Sequence, residues 1–140
     1  MLDHAVGLKY FNVFGPNEAH KGDMRSVVAK AYEQIVAGGS VRLFRSHRPD
    51  FRDGEQRRDF VYVKDAVAMT LHLAESPATG LFNVGSGTAS TWLDLVSPLF
   101  AALARPPAIE FADMPEPLRA VTDAVAAIKS IPKHERVEMR

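Results

Sequence analysis

Residues 5–14, Ala5-Val6-Gly7-Leu8-Lys9-Tyr10-Phe11-Asn12-Val13-Phe14, are rich in β-branched and aromatic side chains and stop at Gly15-Pro16, which predicts one buried strand running into a turn. A core strand with so little chain before it implies that its neighbours lie further along, or in a missing N-terminal part. Over 24–36 the apolar positions Val27, Val28, Tyr32, Ile35 and Val36 recur at helical spacing, with Asp23 as candidate cap and Gly38-Gly39 as the stop. Val41-Arg42-Leu43-Phe44 predicts a short strand, 46–56 a polar loop with Pro49 and Gly54, and Phe60-Val61-Tyr62-Val63 the next extended piece. Asp65 is placed to cap a helix over 66–75 that ends at Ser76-Pro77. Leu81-Phe82-Asn83-Val84 reads as a strand and Gly85-Ser86-Gly87 as a turn. Ser90 or Thr91 then caps a helix over 92–104, in which Pro98 is an awkward interior residue, and Ile109-Glu110-Phe111 closes the pattern as a strand. Strands alternating with helices predict an α/β domain with a mixed or mostly parallel sheet.

Composition narrows the function classes. In 140 residues, 17 Lys+Arg balance 17 Asp+Glu, so no global charge draws the chain to nucleic acid or an anionic membrane. The 46% hydrophobic content is that of a folded domain, and one domain at most. With no cysteine, disulfide scaffolds, thiolate metal sites and cysteine nucleophiles are excluded. No apolar run approaches the ~20 residues of a membrane span, and Met1-Leu2-Asp3-His4 does not start a signal peptide. A cytoplasmic protein is expected.

The candidate chemistry is concentrated in the middle of the chain. Six arginines, at 42, 45, 48, 52, 57 and 58, together with His47 face only Asp50, Asp53 and Glu55, a local cationic excess. Guanidinium groups bind phosphate oxygens in pairs, so this segment could hold a pyrophosphate. A solvated loop whose arginines pair with its own acids explains the composition equally well. Gly85-Ser86-Gly87 imitates a dinucleotide fingerprint, with Glu110 23 residues beyond Gly87, but Ser90 stands where a third glycine belongs. A tight turn followed by a capped helix is the stronger reading. Lys21, between His20 and Gly22, is a candidate acid/base group. His20, His47 and His72 have no spacing that suggests a shared metal, and no G-x-S-x-G elbow occurs.

Three segments in order, Tyr10-Phe11-Asn12-Val13-Phe14-Gly15-Pro16, Arg58-Asp59-Phe60-Val61-Tyr62-Val63-Lys64-Asp65 and Phe82-Asn83-Val84-Gly85-Ser86-Gly87, resemble the nucleotide-sugar epimerase and dehydratase group of the extended short-chain dehydrogenase/reductases. Glu18-Ala19-His20-Lys21-Gly22 and Met24 are similar to members that invert C6 of an ADP-linked heptose for the lipopolysaccharide core. The resemblance implies a Rossmann-like fold, with residues 1–119 as its C-terminal, substrate-binding portion. NADP would be held by an N-terminal half that also carries a Tyr-x-x-x-Lys pair. Here Tyr10, Tyr32 and Tyr62 are followed four residues on by Phe14, Val36 and Ala66, so the pair is absent and the chain alone is expected not to catalyse.

Position by position, Asn12 resembles a substrate-contacting Asn, Val13 a neighbour of the cofactor, and Lys21 the second acid/base residue, also beside the cofactor. Asp23 stands where a substrate-contacting Ser is expected, and Lys30 where some members have His. Phe44, Arg45, Ser46 and His47 match a substrate loop, and Arg58 an arginine that grips the diphosphate. The resemblance further implies an ADP-heptose substrate, no nucleic-acid or membrane partner, and a ring-like homo-oligomer, a pentamer. After Leu118-Arg119 the family continues Gly-Arg-Tyr-Gln, whereas Ala120-Val121-Thr122-Asp123 follows here. The same codons read one base out of frame yield such a change, so 120–140 is expected to be an out-of-frame tail and Met1 an internal start. A fragment of another NAD(P)-dependent nucleotide-sugar epimerase or dehydratase, or a non-catalytic nucleotide-binding module, are the alternatives.

Overall fold

The computed structural model describes residues 5–120 of the chain. The predicted first strand is divided into β1 (Val6–Tyr10) and β2 (Asn12–Phe14), followed by a 3-10 segment, Ala19–Met24. Next come α1 (Val27–Gly38), β3 (Val41–Phe44), β4 (Arg57–Tyr62), α2 (Val63–Ala74) and β5 (Gly80–Val84). The short β6 (Ala89–Thr91), α3 (Trp92–Ala102) and β7 (Ile109–Ala112) complete the order. The sequence tail proposed to be out of frame lies outside the described residues after Ala120.

The division at Phe11 has a topological cause. β1 pairs in parallel with β5, Val6 opposite Gly80 through Tyr10 opposite Val84, whereas β2 pairs in parallel with β4. Phe11 N–H still donates to the Val84 carbonyl at 3.0 Å, and Val13 N–H turns back to the Phe11 carbonyl at 3.0 Å. One extended segment thereby changes neighbours. β4 also carries β6 antiparallel on its other side, Arg57 opposite Thr91, and β3 pairs in parallel with β7.

Two helix starts differ from their expected positions. Asp23 belongs to the 3-10 segment, and it is Ser26 that caps α1, its Oγ accepting from Ala29 N–H at 3.2 Å. Asp65 lies inside the first turn of α2, where its charge favours the positive end of the helix, while Tyr62 takes the cap position. Thr91 is the cap of α3, joined reciprocally to Asp94 in a capping box. Pro98 lies inside α3 without ending it, between fully buried Val96 and Phe100.

The apolar interior forms two clusters. Ile35 and Ala31 of α1, Val96 and Phe100 of α3, and Val41 and Leu43 of β3 form the larger one. Val61, Ala66 and Val84 form the smaller, with Leu8, Val13 and Met69 packed against them. The larger cluster fixes α1 and β3 to each other, and these two elements supply much of the wall of the cavity described next.

Candidate active site

Alternation along β3 places Val41 and Leu43 in the core and Arg42 and Phe44 outward, so a four-residue strand contributes both an apolar floor and a cationic rim. Beside it lies a cavity of about 900 Å³ bounded by α1, β3, the following loop, Arg58 of β4 and Trp92 of α3. Among the described residues its cations are Lys30, Arg42, Arg48 and Arg58, against the carboxylate of Glu110. Arg42 faces Glu110 at 3.9 Å and Arg48 pairs with Asp50 at 2.7 Å, but Lys30 and Arg58 make no ion pair among the described residues. Lys30 Nζ donates to the Asp23 carbonyl at 2.6 Å and Arg58 to the Arg57 carbonyl at 2.7 Å, bonds to neutral groups that leave both charges without a counter-ion among the described residues. A mostly apolar hollow with unneutralised cations suits an organic anion, because low-dielectric walls strengthen the field of each charge.

The loop after β3 is held in place by its own polar groups. Asp53 accepts from Ser46 N–H at 2.7 Å, and the Gly54 carbonyl accepts from Leu93 N–H at 3.2 Å. At Gly54 the backbone is left-handed, φ 78°, and a Cβ there would lie 2.8 Å from Leu93 Cγ. Glycine is therefore required where the loop docks on α3. Asp53 serves the backbone, so the reading in which the loop's acids simply neutralise its arginines holds for Arg48 and Asp50 only.

Of the residues singled out from the sequence, Lys30, Phe44, Ser46, His47 and Arg58 are gathered around this cavity. Arg45 turns to a smaller hollow of about 210 Å³ and faces Asp113 at 3.9 Å; Ser46 and His47 border both spaces. Asn12, Val13, Lys21 and Asp23 do not line the large cavity. Asn12 donates its side-chain amide to the Asp59 carbonyl at 2.9 Å, which ties it to the strand that carries Arg58. Val13 packs on the smaller core cluster. Lys21 is half-exposed on the 3-10 segment, and Asp23 reaches the cavity wall only through its backbone bond to Lys30.

Sequence reasoning missed two carboxylates that organise this region. Glu18 is buried, 7% exposed, and accepts from Gly15 N–H at 3.0 Å, Ser26 N–H at 2.7 Å and Ser26 Oγ–H at 2.8 Å. Burial alone would raise its pKa, but the bonds from Ser26 and Gly15 and the charge of Lys21 outweigh it and hold the carboxyl below the usual range. Asp59, in the Arg58-Asp59-Phe60 segment, accepts from Ser86 N–H, Ser86 Oγ–H and Gly87 N–H at 2.8, 2.8 and 2.9 Å. An acid three residues before the candidate lysine, and another beside Arg58, were the available signals.

A family profile described as "NAD dependent epimerase/dehydratase family" matches residues 3–85, more than half of the chain. The chain belongs to the NAD dependent epimerase/dehydratase family. It is 58% identical over 119 residues to an ADP-L-glycero-D-manno-heptose-6-epimerase of Nitratidesulfovibrio vulgaris, spanning 84% of this chain and 37% of that one. A protein of the same name from Fusobacterium nucleatum is 50% identical over 90 residues, 64% of this chain and 27% of its own. The chain thus spans between about a quarter and little more than a third of these curated relatives. Its fold is that of Helicobacter pylori ADP-L-glycero-D-manno-heptose-6-epimerase, at a TM-score of 0.65 and 27% identity over 91% of this chain and 45% of that one. A UDP-N-acetylglucosamine 4-epimerase from Methanobrevibacter ruminantium gives a TM-score of 0.67 at 31% identity, covering 79% and 34%. These likenesses agree with the α/β class and parallel strand pairings expected from the sequence.

The family name implies a dinucleotide, and residues 85–87 do not fit its pyrophosphate. Two of the amides in this turn are spent on Asp59, and a Cβ at Gly85 would meet Phe11 at 2.3 Å and Asp59 Oδ2 at 2.7 Å. The chain continues from the turn into β6 and not directly into a helix. Glycine is needed at 85 because the Phe11 ring and the Asp59 carboxylate lie against its backbone, which supports the tight-turn reading. No described helix is long and apolar enough to cross a membrane.

Proposed function

We propose that this chain provides the sugar-nucleotide-binding portion of an ADP-heptose 6-epimerase. The observation that carries the reading is the convergence of Lys30, Phe44, Ser46, His47 and Arg58 on one cavity, in a chain 58% identical to a relative bearing that name. In this reading Arg58 and Lys30 take the diphosphate, whose oxygens supply the missing counter-ions, and the apolar floor takes the less polar parts of the ligand. Lys21 acts as an acid/base group toward the sugar. NADP is the hydride carrier of the complete fold, held by the N-terminal half of the family's fold with Val13 and Lys21 of this chain beside it. The chain by itself turns over nothing, because an acid/base lysine worth about 10²–10⁴-fold cannot replace a redox step.

The test is a graft in which this chain's matching segment replaces that of the Nitratidesulfovibrio vulgaris relative. Interconversion of the C6 epimers of the ADP-heptose, with no turnover of UDP-hexoses, is the expected result. A graft that accepts UDP-hexoses and ignores ADP-heptose would overturn the substrate assignment. Turnover by the 140-residue chain alone would overturn the claim of dependence on the rest of the fold.

A further inference from the structure

Glu18 is a buried charge at the junction of three elements that the proposed reaction needs in register. One of its oxygens takes Gly15 N–H, just after β2, and the hydroxyl of Ser26; the other takes the amide of Ser26, at the cap of α1. The second oxygen also lies 4.0 Å from Lys21 Nζ, and the Glu18 carbonyl accepts Lys21 N–H at 2.9 Å. The Glu18 carboxylate thus lies within ion-pairing reach of the Lys21 ammonium, while its backbone carbonyl holds the Lys21 amide in the 3-10 turn. Through Ser26 it also anchors the helix that contributes Val27 and Lys30 to the cavity.

Burying a carboxylate is costly unless its acceptor sites are filled. Here both oxygens are filled by donors, a set that an acceptor-only group takes and an amide, with its NH₂ turned to one of them, does not. Three hydrogen bonds offset the burial while the outward side of the carboxylate remains directed at a half-exposed lysine. We propose that Glu18 is a positioning residue for Lys21, fixing the reach and direction of its ammonium relative to the cavity wall formed by α1. The proposal rests on the reading that Lys21 acts on the sugar. The lysine's side chain has four rotatable bonds, and an acid/base group misplaced by about 1 Å loses on the order of 10²-fold in rate. A fixed carboxylate at its tip narrows those conformations without occupying the cavity.

The experiment is a double-mutant cycle in the grafted epimerase, with kcat, KM and melting temperature read for Glu18→Gln, Lys21→Met and the pair. Glu18→Gln keeps the length of the side chain and removes its charge. It is expected to lower kcat about tenfold or more with little change in KM, and to cost almost nothing further when Lys21 is already Met. Equal loss in both backgrounds would overturn the proposal, because a role in folding alone does not depend on Lys21. An unchanged kcat in Glu18→Gln would overturn it too. Full activity of Lys21→Met alone would instead sink the acid/base reading of the lysine, a separate outcome. Should Glu18→Gln fail to fold, Glu18→Asp retains the charge and is put through the same cycle with the same criteria.

Discussion

Asp59 and Ser86 are joined twice at a single atom: Asp59 Oδ1 accepts both the backbone amide and the hydroxyl of Ser86, each at 2.8 Å. With Gly87 N–H on the other oxygen, one carboxylate of β4 closes the turn after β5 and sets where β6 begins. Asp59→Asn puts an amide NH₂ against at least one of these donors. Ser86 and Gly87 are exposed, so water takes up a freed donor and the expected loss is about 0.5–1.5 kcal/mol, the usual net contribution of a hydrogen bond. Urea denaturation of the chain checks it, and a midpoint equal to wild type would refute the role given to Asp59.

Glu18 also makes stability depend on acid. Its carboxyl is depressed below its unfolded value in the folded chain, so the unfolded state binds more protons at mildly acidic pH. The associated stabilisation is fully present above the unfolded pKa, about 4.5, and is lost as the pH falls through the lower folded value. Denaturation midpoints measured from neutrality to about pH 3 should therefore fall on the acid side. Glu18→Gln should be less stable at neutrality and show a shallower fall; an identical acid slope in the two proteins would contradict the assignment.

Phe100 is fully buried between α1 and α3 in the larger core cluster, together with Ile35 and Val96. Phe100→Ala removes most of a ring from a packed interior and should cost about 3–5 kcal/mol. Because α1 and β3 wall the large cavity, ligand affinity should fall along with the melting temperature. Leu81→Ala, at a residue 74% exposed, is the contrasting variant and should change stability little. Comparable losses from the two would mean that this cluster does not carry the fold.

Alternation was legible in the sequence because it reports burial directly, Val41 and Leu43 pointing inward on β3. In α1 the helix itself was legible but its face was not: of Val27, Val28, Tyr32, Ile35 and Val36 only Ile35 is buried, its buried neighbour is Ala31, and Tyr32 and Val36 are half exposed. The places where the reading slipped are those fixed by partners distant in sequence. Nothing local in residues 5–14 indicates that the segment changes neighbours at Phe11, since β5 and β4 are supplied by residues far along the chain. β6 escaped notice because Ala89, Ser90 and Thr91 have no apolar alternation; β4 pairs them through backbone bonds. Asp23 offered the same capping chemistry as Ser26, and the choice between them was made by Glu18, a residue whose burial no composition rule foretells. For the site, local charge excess marked the arginine segment but could not tell Arg58 from Arg45. That distinction depends on Asp113, in the chain just after β7.

The same distinction yields a prediction for ligand binding. Arg58 borders the large cavity without an ionic partner among the described residues, whereas Arg45 faces Asp113 beside the smaller hollow. A charge-assisted hydrogen bond to a phosphate contributes about 1.5–3 kcal/mol, so Arg58→Ala should weaken binding of ADP-glucose to the grafted epimerase on the order of 10- to 100-fold. Arg58→Lys should recover only part of the loss, because an ammonium lacks the planar fork that engages two oxygens together. Arg45→Ala should leave the affinity nearly unchanged, since an exposed pair such as Arg45 with Asp113 is worth little to the protein and nothing to a ligand on the other side of the strand. Titration calorimetry at two salt concentrations measures all three, and the affinity of the unaltered site should fall at the higher salt. Should Arg45→Ala weaken binding as much as Arg58→Ala does, the diphosphate would have to lie beside the smaller hollow, and the large cavity would lose its claim to the substrate.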